Sequence, residues 1–113
     1  MTCGDMRHFE ELAAGALTSY ENRPDAVGVA RLIDGLITAG QALHAELSAL
    51  PAGRRAERTG AALVEWTYFV DAGPLGVNGA NADHANWNHA RNLARIARVL
   101  AAALAVQRPS GVR

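Results

Sequence analysis

The residues best suited to chemistry in this 113-residue sequence lie between positions 78 and 98. This segment, NGANADHANWNHARNLARIAR, contains two of the four histidines, one of the two tryptophans and three arginines. Amide and imidazole groups both donate and accept hydrogen bonds, and the arginine fork binds carboxylate or phosphate. The composition therefore predicts a site of recognition without naming a reaction.

Helical phase divides this segment into two faces, because successive residues are rotated by about 100° around a helix. One face is polar and consists of His84, Asn88, Arg91, Arg95 and Arg98, with Trp87 beside them. The other face places Asn86 and His89 in line with the apolar stripe Leu93, Ile96, Leu100 and Leu104. We therefore expect an exposed arginine stripe and a core-facing polar pair.

Both faces allow a structural and a functional interpretation. The arginine stripe is either a solvated helix face or a surface for an anion or an acidic partner. Asn86 and His89 are either satisfied polar groups of the core or the lining of a cavity with Trp66 as its wall. The predicted ligand-binding residues are Trp66, Asn81, Asn86, Trp87, Asn88, His89 and Arg91, with His44 and Tyr68 as further polar contributors.

Metal binding and acid–base catalysis place stricter demands on the histidines. His84 and His89 point about 140° apart, whereas two ligands of one metal on a helix need a spacing of three or four residues. We therefore predict no metal site and no cofactor. Either histidine could serve as an acid or base if a carboxylate or a tyrosine oriented it. No serine nucleophile elbow, phosphate loop or paired carboxylate accompanies them.

These side chains need helices to position them, and the hydrophobic periodicity predicts four. The first is short, carries Phe9 to Tyr20 and has Asp5 as its cap. The second begins at Pro24, the third covers about 54–72, and the fourth covers about 82–107 with Asn81 as its cap. The Gly/Pro-rich segment 71–81 predicts a long loop before the last helix. The fold class is therefore an all-α, up-down four-helix bundle.

Length and composition limit the class of protein. A single domain over 1–113 is expected, with frayed termini at about 1–4 and 108–113. The formal net charge is zero, which argues against nucleic acid as a partner. We expect no bilayer-spanning segment and no signal peptide, since no apolar run is long enough and the N-terminus is polar. One cysteine, Cys3, fits a reducing compartment, so a cytoplasmic location is predicted.

A row of small residues on the second helix offers a different kind of contact. Gly28, Gly35, Ala39 and Ala42 lie along one flank, where they allow another backbone to approach closely. The approaching backbone is either a helix of the same chain or a second copy of the protein. A homodimer through this flank is therefore one hypothesis.

The run Asn88-His89-Ala90-Arg91-Asn92-Leu93-Ala94-Arg95 resembles a family of small helical actinobacterial proteins of undefined function, often labelled as associated with natural-product biosynthesis. The resemblance covers about residues 30–107 and rests on the His-Ala-x-x-Leu-Ala-Arg core of the last helix. The sequence departs from that family in its Asn/Trp-rich entry, 81–88. The resemblance implies a cytosolic accessory protein and carries over no catalytic residue.

Three functional hypotheses follow from these observations. The first is a binding module that takes a small molecule or a protein partner at the 71–92 end of the bundle. The second is a small enzyme that acts on a natural-product intermediate, with His89 or His84 as its acid or base. The third is a structural, homodimerising bundle.

Overall fold

The computed structural model describes residues 3–51, 53, 56–73 and 82–107. Within them the chain forms four α-helices: α1 (Cys3–Ala16), α2 (Ala26–Ser48), α3 (Glu57–Ala72) and α4 (Ala82–Gln107). A short 3-10 turn, Tyr20–Asn22, lies between α1 and α2. The predicted all-α fold and its four helices are confirmed, and α1 is the shortest of them.

The helices alternate in direction along the chain. Gly15 lies opposite Leu32 and Gly35 opposite Leu12, which makes α1 antiparallel to α2. Gly40 contacts the ring of Trp66, and Thr59 borders a groove with Val99, so α3 crosses α2 and runs back along α4. As a result α2 and α4 are parallel, and both begin at the same end of the bundle.

In the described part of the chain, α2 and α4 each pack against all three other helices, and α4 has the more extensive contact with α3. Small and large apolar side chains alternate on the buried face of α4, and small residues allow helix axes to approach closely. Its fully buried residues are Ala90, Leu93, Ala94, Ala97 and Leu100. Together with Leu36 and Leu43 of α2 they form the centre of one core.

The helix starts differ from the predicted ones for reasons of capping. Helix α2 begins at Ala26, not at Pro24, because Asp25 is its N-cap and the Asp25 carboxylate Oδ1 accepts a hydrogen bond of 2.8 Å from the Gly28 N–H. Helix α3 begins at Glu57, three residues later than expected, after Ala56 in an extended conformation. Asp5 lies inside the first turn of α1 rather than at its N-cap position. The bounds predicted for α4 are confirmed, whereas its predicted cap, Asn81, lies outside the described residues.

Helix α2 also corrects the expectation that no segment could span a bilayer. By length and composition it meets that criterion, alone among the described helices. The apolar core helix of a helical bundle meets the same criterion. In the bundle, its Leu36, Leu43 and Leu47 are buried against the other helices.

Among the described glycines, Gly40 of α2 has the least free space, because it packs against Trp66 of α3. A Cβ atom at position 40 would lie 2.1 Å from the indole Cζ2 atom, well inside van der Waals contact. Trp66 is fully buried there, and its Nε1–H donates a 3.2 Å hydrogen bond to Oε1 of Gln41. A glycine inside a helix destabilises that helix by about 1 kcal/mol relative to alanine. At position 40 the burial of the Trp66 indole offsets this cost, because the indole occupies the space that a side chain would need.

Replacing Gly40 with alanine should therefore lower the free energy of unfolding by about 3 kcal/mol or more, because the methyl group would displace a buried indole. The matched control is Gly60→Ala in α3, where an added Cβ meets no atom within 4 Å. That variant should be stabilised by up to about 1 kcal/mol through helix propensity. Urea unfolding followed by circular dichroism measures both, and similar effects in the two variants would contradict this account of Gly40.

Candidate functional site

A cavity of about 360 Å³ lies at the end of the bundle where α2 and α4 begin. Its wall combines charged groups with an amide and a few apolar side chains. The lining residues are Arg23, Pro24, Asp25, Ala26, Val29, Asp83 and Asn86. The α4 side of this wall belongs to the segment that the sequence singles out.

The turn before α2 holds its side of the cavity in place. Arg23 stacks its guanidinium 3.7 Å from the centre of the Tyr20 ring and donates a 3.0 Å hydrogen bond to the Tyr20 carbonyl. The turn also contacts α4, since the rings of Tyr20 and His84 meet edge to face with centres 6.1 Å apart. Asp25 uses one carboxylate oxygen to cap α2.

Asn86 is the predicted ligand-binding residue that lines this cavity. It is half-buried, and the predicted inward phase agrees with that position. The remaining walls differ from the expected ones, since neither Trp66 nor His89 belongs to the lining. Trp66 instead packs on Gly40 near the middle of α2. The cavity thus lies between the starts of α2 and α4 rather than beside α3.

His89 faces the core, as its phase predicts. Its side chain is only 4% exposed, and this burial lowers the pKa of the imidazole below its ordinary value of 6.5. In the part of the chain that the structure describes, no fully buried side-chain nitrogen or oxygen lacks a hydrogen-bond partner. His89 is thus a largely buried polar side chain on the inner face of α4, and its burial favours the neutral form of the ring.

Trp87 corrects the predicted division into faces. It was expected beside the exposed arginine stripe, yet it is only 2% exposed. The reason is that α4 has neighbours on three sides, so its buried arc is wider than one apolar stripe. The guanidinium of Arg91 lies 5.8 Å from the centre of the Trp87 ring and covers that side chain.

Arg91 also differs from the prediction of an exposed arginine stripe, because it is half-buried and makes hydrogen bonds to another part of the chain. Its Nη1 donates a 2.7 Å hydrogen bond to the carbonyl of Thr18 and a longer one, 3.5 Å, to that of Ala16. The last carbonyls of a helix have no partner within it, and here an arginine of α4 supplies one. This half-buried side chain therefore fixes the end of α1 against α4.

The two other residues of the stripe near the cavity form an exposed pair. The Asn88 Nδ2–H donates to Nε2 of His84 across 3.2 Å, so the amide occupies the nitrogen that an acid or base would use. Tyr20 approaches His84 through its ring. A catalytic role for His84 or His89 stays a prediction, since none of these contacts brings an orienting carboxylate or phenol oxygen to either ring.

His44, expected as a polar contributor, belongs to a separate groove between α2 and α3. Thr67 Oγ1 donates to the Leu63 carbonyl and lies 3.3 Å from Nε2 of His44, while Ser48 Oγ lies 3.3 Å from Nδ1. Tyr68 lines the same groove and is exposed. This network connects the end of α2 to α3 and does not reach the cavity that Asn86 lines.

The small-residue flank of α2 serves contacts within the chain. A Cβ at Gly35 would lie 2.9 Å from Leu12 of α1, and one at Gly28 would lie 2.6 Å from Pro24. Ala39 and Ala42 border a groove between α1 and α2. At Gly28 and Gly35, close packing inside one chain therefore accounts for the small residues. The homodimer stays a prediction.

Comparison with known proteins returned no match to this sequence among family models, curated proteins or solved structures. The described residues also contain no group of three or more His, Cys, Asp or Glu side chains that could hold a metal ion.

Replacing Arg91 with alanine should lower the free energy of unfolding by about 2 kcal/mol, the usual cost of losing hydrogen bonds from a charged donor. Arg95→Ala is the matched control, because Arg95 lies one turn further along α4 and is exposed. That change should stay within about 0.5 kcal/mol of the wild type. Chemical denaturation measures both values, and equal losses would show that the Arg91 hydrogen bonds add nothing.

The lowered pKa of His89 predicts a pH dependence of stability. Between the lowered folded-state pKa and the unfolded value of 6.5, the unfolded chain binds more protons than the folded one. The free energy of unfolding should hence be unaffected by this group above pH 6.5 and fall as the pH drops through that window. His89→Gln should flatten the profile there relative to the exposed-site control His84→Gln. Parallel profiles for the wild type and His89→Gln would contradict the assignment.

Proposed function

We propose that this chain is a small accessory protein that binds a polar small molecule in the cavity at the starts of α2 and α4, without catalysis. The observation that carries the proposal is the composition of the cavity wall, in which Asp25, Asp83 and Asn86 surround a space of about 360 Å³. This volume is within the range of about 300–1,000 Å³ that is usual for small-molecule sites.

The wall favours a ligand that donates hydrogen bonds. Ionised carboxylates accept hydrogen bonds and donate none, and two of them line the cavity. The one guanidinium, that of Arg23, is already engaged by the ring and carbonyl of Tyr20. An amine or a polyhydroxylated molecule complements this surplus of acceptors. Pro24, Ala26 and Val29 supply apolar contact for a small hydrocarbon portion.

Two further features support a binding role. The cavity has one wall from each of two parallel helices, so its shape depends on their packing and is largely preformed. The resemblance of the last helix to actinobacterial accessory proteins supports a cytosolic role in natural-product biosynthesis. The functions of the neighbouring genes would test the proposed role in natural-product biosynthesis.

A thermal-shift screen should find amines or polyols of fragment size that raise the melting temperature of the wild type. A ligand at 100 times its Kd stabilises the folded state by about 2.7 kcal/mol. Asp83→Asn and Asn86→Ala should each remove the shift, because both side chains line the cavity. Glu65→Gln, a change on the exposed face of α3, should preserve it.

The screen can also refute the proposal. If no amine or polyol stabilises the protein, the cavity is not a binding site for this class of molecule. If Asp83→Asn and Glu65→Gln respond to a ligand in the same way as the wild type, that ligand binds elsewhere.

A further inference from the structure

A further groove, of about 390 Å³, lies between the start of α3 and the end of α4. Two arginines and a row of small or branched apolar residues line it. The lining comprises Ala56, Arg58, Thr59, Arg98, Val99, Ala102, Ala103 and Val106. Along α4 it is separated from Asn86 by at least twelve residues, or about 18 Å at 1.5 Å per residue.

The apolar floor of this groove is left open to solvent. Val106 is 80% exposed, Ala102 is exposed, and Val99 and Ala103 are half-buried. These side chains recur at spacings of three and four and so form one continuous strip of α4. From Arg98 to Val106 the helix rises about 12 Å. The strip therefore matches the length of a medium-chain hydrocarbon.

The rim of the groove is cationic. Arg58 on α3 and Arg98 on α4 are both exposed, and neither has an ion pair or hydrogen bond among the residues that the structure describes. Guanidinium groups are permanently charged and bind carboxylates through two parallel hydrogen bonds. Two such groups beside an apolar strip complement a molecule with an anionic head and a hydrocarbon body.

The backbone at the start of α3 adds donors to this rim. Ala56 is its N-cap and makes no side-chain capping hydrogen bond. The first N–H groups of a helix have no partner within it and favour an anion. Ala56 and Arg58 both line the groove, so the start of α3 borders the same groove as the two arginines.

We propose that this groove binds a free medium-chain carboxylic acid, with its carboxylate held by Arg58 and Arg98 and its hydrocarbon chain on Val99, Ala102, Ala103 and Val106. A small amphiphile fits better than a protein partner, because the strip has four apolar side chains over about 12 Å of helix, whereas a stable protein interface uses about 20–30 residues on each side. The site is independent of the cavity at the opposite end of α4.

Isothermal titration of the full-length protein with decanoate, below its micelle concentration, tests this site. The wild type should bind decanoate, and Arg58→Gln and Arg98→Gln should each weaken binding about tenfold, or ~1.4 kcal/mol. Arg95→Gln is the control, because Arg95 is exposed on α4 and does not line the groove. It should leave the affinity unchanged.

Two more ligands and one more variant separate the contributions of head and chain. Decanol should bind more weakly than decanoate, and the ratio of the two affinities should match the combined effect of Arg58→Gln and Arg98→Gln on decanoate binding. Val106→Asp should weaken decanoate binding while preserving the circular dichroism spectrum, since Val106 contributes little to the core.

Three results would overturn the proposal. The first is a wild type that does not bind decanoate. The second is an equal effect of Arg95→Gln and Arg98→Gln, which would indicate nonspecific attraction to positive charge. The third is co-sedimentation with phosphatidylglycerol vesicles without binding of decanoate, which would assign the face to a membrane surface instead.

Discussion

The burial of α4 among the other three helices is the interaction on which the rest of the structure depends. Its central alanines and leucines are fully buried, so α1, α2 and α3 all take their positions from it. Because α4 lies alongside α2 in the same direction, the two helix starts come together and enclose the cavity. Because α3 runs back along the C-terminal half of α4, a groove forms between the start of α3 and the end of α4. One helix thus contributes to both surfaces.

The sequence predicted the helices well because their signals are local. The spacing of Val29, Leu36, Leu43 and Leu47 identifies α2 from the chain alone, and all four residues are buried. The polar start of α4 likewise placed His89 and Asn86 on the inner side. The exact start of α2 was missed because Pro24 and Asp25 both suit a helix start, and only the hydrogen bond from the Gly28 N–H decides between them.

The features of the site that the sequence did not predict depend on contacts between distant parts of the chain. Phase alone gives one apolar stripe, so it cannot show that a third neighbouring helix also buries Trp87. Arg91 bonds to carbonyls at and just after the end of α1, more than seventy residues away, and carbonyls carry no sequence signal. The cavity wall of Arg23 and Asp25 comes from the turn before α2, whose proline and aspartate indicate a cap but not what faces it.

The contact between Gly40 and Trp66 has a consequence for how this sequence can change over evolution. The indole fills the space that any side chain at position 40 would need, so the two positions form one unit of selection. A lineage that acquires alanine or serine at 40 has to replace the tryptophan at 66 with something smaller, in that order or the reverse. Glycine paired with an indole at these two sites would then mark sequences that share this helix spacing, even where the rest of the chain has diverged.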